Sequence, residues 1–248
     1  MIGICVGSFL NVVIYRIGYS LNNNNDQSIL KGILFGKSIC LSCKREIKSF
    51  HNIPLFSYLY LKGKCYFCKS TFSIRYFFIE LLTGLLFMFV GFETSLNNIF
   101  QVLFVLTLLS MLIILFFVDI DNFILPDEIT IPLVWMGLAY NLIFPSSVSL
   151  ENSVKGAILG YLFLYLFVKS YSLIRKKEMM GEGDFKLFAV IGAWMGCNYL
   201  LPSIIISSMI SILLFMPFLF EKDKKLPFGP SLILSMLIIY FIKKYNLI

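Results

Sequence analysis

Residues 99–118 read IFQVLFVLTLLSMLIILFFV, a run of twenty positions without a single charged side chain. A helix of this length matches the ~20 apolar residues that cross the hydrocarbon core of a bilayer. The composition agrees, because the 248-residue chain is 58% hydrophobic and only 14% charged, whereas soluble domains carry about a quarter charged residues. The sequence therefore predicts an integral membrane protein built from α-helices.

Seven further apolar runs flank this one. The first is short, with about fifteen apolar positions before Arg16, and we expect a retained helix because no small-residue cleavage site follows it. The predicted fold class is an all-α polytopic membrane protein that uses the lipid bilayer as its solvent. Its eight transmembrane helices are predicted near residues 2–17, 76–92, 99–118, 129–145, 153–174, 185–200, 202–220 and 228–242.

The distribution of Lys and Arg predicts the orientation of these helices. With eight spans and an external N-terminus, eighteen of the 21 basic residues fall on one face of the membrane. By the positive-inside rule that face is cytoplasmic, so we predict a multi-pass protein of the cytoplasmic (inner) membrane. The net charge of +7 then follows mostly from topology. Because the charges flank helices instead of forming one stripe, we predict no nucleic-acid partner.

Four of the six cysteines lie in the long loop after the first helix, as the pairs CLSC and CYFC separated by 21 residues. Two CxxC pairs at such a spacing are typical of a tetrahedral zinc site. Four thiolates leave no open coordination position, so the zinc ion would be structural. Two disulfides or four unrelated thiols are the alternatives, and the reducing cytoplasm disfavours disulfides. The predicted metal ligands are Cys40, Cys43, Cys65 and Cys68.

The chemistry that remains for the membrane region is that of carboxylates. The chain has one histidine, His51, so a Ser-His-Asp triad or an HExxH metal site within the membrane is excluded. Asp119 follows the twenty-residue apolar run directly, and Asp184 closes the sequence GEGD before another apolar run. Ionisable groups at membrane depth usually mark a functional site, and both of these reach the predicted cytoplasmic face.

Two aspartates held together can hydrolyse a peptide bond with water. Like charges in close contact do not both ionise easily, so one carboxyl keeps its proton while the other acts as a base. We expect Gly181 and Gly183 to permit unusual backbone angles and a close approach of another chain beside Asp184. The alternative is that such acids are solvated loop charges, the interpretation that we favour for Asp127, Glu128 and Glu178.

With these residues identified, the chain resembles the type IV prepilin peptidases, which are GxGD intramembrane aspartyl proteases. The resemblance covers nearly the whole length, and six motifs occur in the family's order. They are GSFLNVVIYR at 7–16, the two CxxC pairs, NIPLFSYLYLKGKCYFC at 52–68, SIRYFFIELLTG at 73–84, DIDNFILPDEITIPL at 119–133 and GEGD at 181–184.

The resemblance implies that Asp119 and Asp184 are the catalytic pair, supported by Gly181 and Gly183, with Asp121 as a supporting residue or an alternative partner. It implies cleavage of membrane-inserted prepilin or pseudopilin precursors after a glycine on the cytoplasmic side. Many members then methylate the new N-terminus with S-adenosylmethionine, an activity associated with their N-terminal half. We could not locate residues that would bind this cofactor.

The predicted domains follow from the motifs. The first transmembrane helix covers residues 1–17, a cytoplasmic zinc-binding loop covers 18–75, and a multi-helix GxGD aspartyl peptidase membrane domain covers 76–248. Leader peptides of this class are basic, so we hypothesise that nearby acids attract them. The candidates for this attraction are Asp121, Asp127 and Glu182.

Two other function classes remain open at this point. A polytopic transporter could use Asp119 and Asp184 to relay ions, although internal repeats would then be expected and none is found. A membrane scaffold could use the zinc loop for docking, but this interpretation leaves GEGD unexplained. An Asp184→Asn variant distinguishes the three, because only a peptidase loses cleavage, only a transporter loses flux, and a scaffold loses neither.

Overall fold

The structure is a computed structural model that describes residues 1–23, 39–40, 42–47, 53–93, 98–145, 148–175, 180–215 and 227–244. Within these ranges it is helical and contains no sheet, only two isolated β-bridges between Ile39 and Glu46 and between Lys64 and Thr71. His51 and Glu178 lie outside the described residues. The predicted all-α architecture is confirmed.

Each of the eight predicted apolar runs forms a helix, and one five-residue helix that was not predicted precedes the second cysteine pair. The helices are α1 (Ile2–Asn23), α2 (Phe56–Tyr60), α3 (Ile74–Glu93), α4 (Ile99–Asn122), α5 (Asp127–Ile143), α6 (Leu150–Arg175), α7 (Glu182–Met195), α8 (Leu200–Phe215) and α9 (Gly229–Lys244). A single 3₁₀ turn, Cys197–Tyr199, leads into α8.

Among the described residues, five helical segments are long and apolar enough to cross a membrane, and Gly229–Lys243 is a shorter apolar helix. The chain is therefore a multi-pass membrane protein. The first helix has 22 residues and ends at Asn23, so it is neither short nor confined to residues 1–17 as predicted. α5 and α7 have 17 and 14 residues; at 1.5 Å per residue α7 is only about 21 Å long, so its predicted role as a complete span remains a prediction.

The chain divides into two compact units, Met1–Ile114 and Leu115–Ile248. In the first unit α1 and α3 pack closely because glycines stand at their contacts. A Cβ atom on Gly3 would lie 2.6 Å from Cβ of Phe87, and one on Gly84 would lie 2.7 Å from Cγ1 of Ile4. Small residues allow membrane helices to approach backbone to backbone. Asn11 adds a hydrogen bond from Nδ2 to the carbonyl oxygen of Tyr76, at 3.1 Å.

In the second unit α7 lies at the centre. From Asp184 to Met195 every residue of this helix except Lys186 is buried, which explains why its sequence is apolar on all sides. Gly156 of α6 lies directly against Gly192 of α7, with no room for a side chain on either. Asn141 of α5 donates from Nδ2 to the Ala193 carbonyl oxygen at 2.8 Å. The position of α7 is thus fixed by its neighbours on several sides.

Candidate active site

Asp119 lies in the last turn of α4 and is only 5% exposed. Its Oδ2 atom occupies the space beside Gly229, the first residue of α9, where a Cβ atom would lie 2.6 Å away. The backbone N–H of Gly229 faces the carboxyl group, yet Oδ2 makes no well-formed hydrogen bond among the described residues. Because buried polar atoms are nearly always hydrogen-bonded, this oxygen is available to a proton, a water molecule or a substrate.

Asp184 lies in the first turn of α7 and is 8% exposed. Its backbone N–H donates to the carbonyl oxygen of Gly181, the residue that precedes the helix, at 3.2 Å. It lies outside the five candidate spans. Burial, together with the smaller effect of the neighbouring charge of Asp119, raises the pKa of the Asp184 carboxyl to about 7. Both effects disfavour the ionised form.

The structure thus brings together two carboxyl groups that are 65 residues apart in sequence. They are close enough for the charge of Asp119 to act on the pKa of Asp184. Asp121, the alternative partner, is exposed near the end of α4 and lies outside this buried pair. The arrangement favours Asp119 over Asp121 as the neighbour of Asp184.

Leu125 separates the elements that carry the two aspartates. Its side chain is buried between Gly183 and Gly229: a Cβ atom on Gly183 would lie 2.7 Å from Cβ of Leu125, and one on Gly229 would lie 3.3 Å from its Cδ1. The chain reverses before Leu125 at Phe123, which has a φ of 57°. Leu125 therefore acts as a spacer at the junction of α4, α7 and α9.

The glycines of GEGD do not act as predicted in one respect. Gly181 has a φ of −73° and Gly183 lies within the regular helix α7, so neither adopts an angle that requires glycine. Gly183 is needed for space, because Leu125 occupies the position that its side chain would take. Gly181 is exposed, and a Cβ atom there would meet only Oδ2 of Asp184, at 3.8 Å. A close approach does occur at Gly183, but the group that approaches is Leu125 of the same chain. The approach of another chain beside Asp184 stays a prediction.

An ion pair fixes the same turn from a second point. Nζ of Lys186 contacts both carboxylate oxygens of Asp127, at 2.6 and 2.7 Å, and joins the first turn of α7 to that of α5. Gly183 and Lys186 are three residues apart and so share one face of α7. These two contacts on one face restrain the turn that carries Asp184. Asp127 thus has a basic partner on α7, and its attraction for a basic leader stays a hypothesis.

The four cysteines of the loop form a separate cluster in the first unit. Their sulfur atoms all lie within 4.8 Å of one another, and the Cys40–Cys68 sulfur pair is 3.8 Å apart. This matches the edge of a tetrahedron with Zn–S bonds of ~2.3 Å, which is about 3.8 Å. All four are free thiols, so the predicted disulfide alternative is not found. The residues are Cys40, Cys43, Cys65 and Cys68.

Both cysteine pairs have the same local geometry. The N–H of Lys44 donates to the Cys40 carbonyl oxygen at 2.8 Å, and the N–H of Lys69 donates to that of Cys65 at 3.0 Å. Both lysines adopt positive φ angles, 58° and 59°. Backbone hydrogen bonds, chiefly from Cys43, lower the pKa of the Cys40 thiol to about 6, which favours the thiolate that binds metals. The cluster can hold a zinc ion.

Comparison with known proteins matches both halves of the chain to family models. Residues 1–94 match the Bacterial Peptidase A24 N-terminal domain, and residues 106–216 match the Type IV leader peptidase family. A Prepilin leader peptidase/N-methyltransferase of Neisseria gonorrhoeae is 39% identical over 97% of this chain and 88% of the relative. One from Legionella pneumophila is 37% identical over 97% and 89%. The chain belongs to the type IV leader peptidase family. No solved structure matches it.

The ranges matched by the two family models include both groups of predicted site residues. The leader peptidase model includes Asp119 and Asp184, and the N-terminal model includes the four cysteines. Leu125, Gly229 and Lys186 were not predicted as site residues. Lys186 follows GEGD closely and Leu125 lies in the block 119–133, so their positions were a weak signal. The sequence around Gly229 gave no signal, because the role of this residue depends on its contact with Asp119, which is 110 residues away in sequence.

We predict that Gly183→Ala lowers the apparent melting temperature of the detergent-solubilised protein, although alanine is the better helix former. The added methyl group collides with Leu125, and overpacking of this kind costs about 1–3 kcal/mol. Gly181→Ala is the matched control and is expected to be neutral, because only one atom lies within contact distance there. Leu125→Ala combined with Gly183→Ala should recover part of the loss. Equal melting temperatures for the two glycine variants would contradict the spacer role of Leu125.

Proposed function

We propose that this member of the type IV leader peptidase family is an intramembrane aspartyl endopeptidase that removes the leader peptide of type IV prepilins or pseudopilins. Asp119 and Asp184 are its catalytic residues, and the cut follows a glycine on the cytoplasmic side. The observation that carries this proposal is the burial of the two carboxyl groups beside each other at the ends of α4 and α7. The names of the relatives, prepilin leader peptidase/N-methyltransferase, support the substrate class.

The pair performs general acid–base chemistry on a water molecule and an amide. Because two adjacent buried carboxylates repel each other, the resting pair holds one proton between them. The ionised carboxylate removes a proton from water, and the hydroxyl then attacks the carbonyl carbon of the scissile bond. The protonated carboxyl donates its proton to the carbonyl oxygen, which gives a tetrahedral intermediate. The carboxyl that took the proton from water then passes it to the amide nitrogen as the C–N bond breaks, and the other carboxylate recovers its proton, so that a carboxylic acid and an amine leave and the pair is restored. The two sites titrate together, so we assign neither role to one residue.

The surroundings of the pair suit a substrate that arrives from the cytoplasmic surface. Asp121 and Glu182 are exposed near the two aspartates in sequence, and we retain them as acids that attract a basic leader. The positive-inside rule supports the cytoplasmic orientation. Gly181 is exposed next to Asp184, which leaves space for the extended backbone of a substrate.

We also propose that the protein methylates the N-terminus that cleavage creates. The peptidase model covers both aspartates, so we assign this second activity to the half matched by the N-terminal model. The methyl donor would be S-adenosylmethionine, and the amine must lose its proton before it can accept the methyl group. In the proposed domain organisation the first helix, which ends at Asn23, leads into the cysteine loop, and the peptidase domain begins near residue 76.

The cysteine loop would hold a structural zinc ion through Cys40, Cys43, Cys65 and Cys68. Four thiolates satisfy a tetrahedral ion, so the metal would organise the loop and take no part in peptide hydrolysis. The transporter hypothesis has no support from the family or from the relatives, and the scaffold hypothesis does not account for the aspartate pair.

Replacement of either aspartate by asparagine is expected to reduce cleavage of a prepilin by at least about 100-fold, because asparagine cannot exchange a proton. The measurement is mass spectrometry of the substrate's N-terminus after incubation with the purified protein in lipid vesicles. Glu151→Gln, which removes an exposed carboxylate elsewhere in the same unit, is the control. Zinc content should be unchanged in all three variants, and the melting temperature of the aspartate variants should not fall, because each removes one of two charges that repel each other. Normal cleavage by Asp184→Asn would refute the proposed dyad.

The cleavage rate is expected to fall as the pH rises through about 7. The folded pKa of Asp184 is raised from 3.8 to about 7, so above this value the pair loses the proton that its acid member needs. The same shift makes the folded state bind more protons than the unfolded chain, so stability decreases between about pH 4 and about pH 7. Initial rates from about pH 5 to about pH 9 test this. A rate that keeps rising above neutrality would contradict it.

Elemental analysis of the purified protein should find about one zinc ion per chain. Cys40→Ser and Cys65→Ser are expected to lose this ion, because each removes a buried member of the cluster. Cys5→Ser and Cys197→Ser are matched controls that lie outside the cluster and should retain it. Loss of zinc from all four variants alike would argue against the assigned ligands.

A further inference from the structure

Glu80 is a buried carboxylate that the proposed peptidase chemistry does not use. It lies on α3, within a segment apolar enough to span the membrane, and is only 9% exposed. A carboxylate in such a place is costly unless its oxygens are hydrogen-bonded. Here Oε2 accepts a hydrogen bond from the backbone N–H of Leu55 at 2.8 Å, and the hydroxyl of Ser8 on α1 also interacts with the carboxylate.

The backbone that Glu80 holds is strained. Leu55 has a φ of 61° and a ψ of −50°, and the N–H of Phe56 donates to the carbonyl oxygen of Pro54 at 2.7 Å. These angles and this bond define a γ-turn of the rare positive-φ type, which is unfavourable for a residue with a side chain. Strained backbone persists only where its surroundings hold it in place. The bond to Glu80 is such a restraint.

A second contact lies one turn away on the same elements. The rings of Tyr58 and Phe77 pack with centroids 5.5 Å apart. Phe77 and Glu80 are three residues apart on α3, and helix residues at that spacing share one face. The segment before the second cysteine pair is therefore attached to one face of α3 by a polar contact and an aromatic contact.

Tyr58 connects this attachment to the second cysteine pair. Its ring lies against Gly63, where a Cβ atom would be 2.9 Å from the phenol oxygen, and Gly63 has a φ of 67°. Cys65 follows two residues later. On its other side Glu80 is close to α1, because a Cβ atom on Gly7 would lie 2.8 Å from the Glu80 Cα. Glu80 is thus the point where α1, α3 and the cysteine-bearing segment meet.

We infer that Glu80 is a positioning residue: its carboxylate holds Leu55 in the γ-turn and so fixes the second cysteine pair against the α1–α3 pair. Its functional consequence, which rests on the proposed methyl transfer, is that the N-terminal half presents a fixed surface to the new N-terminus. The role of Glu80 is to accept hydrogen bonds, so a side chain of similar size that also accepts them should replace it in part.

Hydrogen–deuterium exchange of the full-length protein in detergent tests the anchor without any substrate. In Glu80→Met the side-chain volume is kept but the acceptor is lost, and exchange in the peptide that covers residues 53–58 should accelerate about tenfold, as expected for a lost hydrogen bond to a charged group. Glu80→Gln should accelerate it less. Thr83→Val is the matched control, because Thr83 is buried on the same helix but donates only to Ile79.

Glu80→Met could also accelerate exchange by destabilising the helices in general. A second-site variant separates this effect from the loss of the hydrogen bond to Leu55. Glycine adopts positive φ angles without strain, so Leu55→Gly in the Glu80→Met background should restore part of the protection at residues 56–58. Exchange at wild-type rates in Glu80→Met, equal acceleration in Thr83→Val, or no recovery with Leu55→Gly would each overturn the anchor.

The functional consequence is measured as the ratio of methylated to cleaved product formed from a prepilin with labelled S-adenosylmethionine. We expect this ratio to fall in Glu80→Met and to fall less in Glu80→Gln. An unchanged ratio together with faster exchange would overturn the functional part and leave the anchor in place. If the wild-type protein does not cleave a prepilin, the proposed function fails, while the exchange experiment still decides the role of Glu80.

Discussion

The mutual repulsion of two buried carboxyl groups is the constraint on which the peptidase half of this protein depends. Asp119 and Asp184 are 5% and 8% exposed, so water screens their charges poorly and ionisation of one disfavours ionisation of the other. The fold must therefore hold in place two groups that repel each other when both are charged. The end of α4, the start of α7 and the start of α9 meet near Leu125, whose side chain contacts Gly183 and Gly229.

The burial of α7 serves the same requirement. A helix of 14 residues has little stability of its own, yet this one is surrounded along nearly its whole length and contacts α6 backbone to backbone at Gly192. The N-terminal end of α7 is its least buried part. There Gly183 contacts Leu125 and Lys186 contacts Asp127. The surrounding helices fix the axis of α7, and these two contacts restrain the turn that carries Asp184.

Local signals made the helices, the cysteine cluster and the aspartates predictable from sequence. Uninterrupted apolar runs identify membrane helices, and each CxxC pair folds through short-range hydrogen bonds such as that from Lys44 to Cys40. The predicted end of α1 was wrong because the helix continues beyond Arg16 through mixed apolar and polar residues as far as Asn23. Gly229 could not be assigned, because only the folded chain brings it to Asp119, and the role of Leu125 depends on its contacts with Gly183 and Gly229, which are distant in sequence.

The buried acids of the two units differ in the feature that separates a structural carboxylate from a reactive one. Glu80 accepts a hydrogen bond from the backbone N–H of Leu55 and interacts with Ser8, and these contacts hold the strained turn. Asp119 keeps one buried oxygen without a hydrogen bond among the described residues, and its charge opposes the ionisation of Asp184. A hydrogen-bonded carboxyl group is held in one position, whereas an oxygen without a hydrogen bond is available to a proton, a water molecule or a substrate. The hydrogen bonds of each acid, more than its depth in the membrane, therefore indicate which one anchors the fold and which one is suited to catalysis.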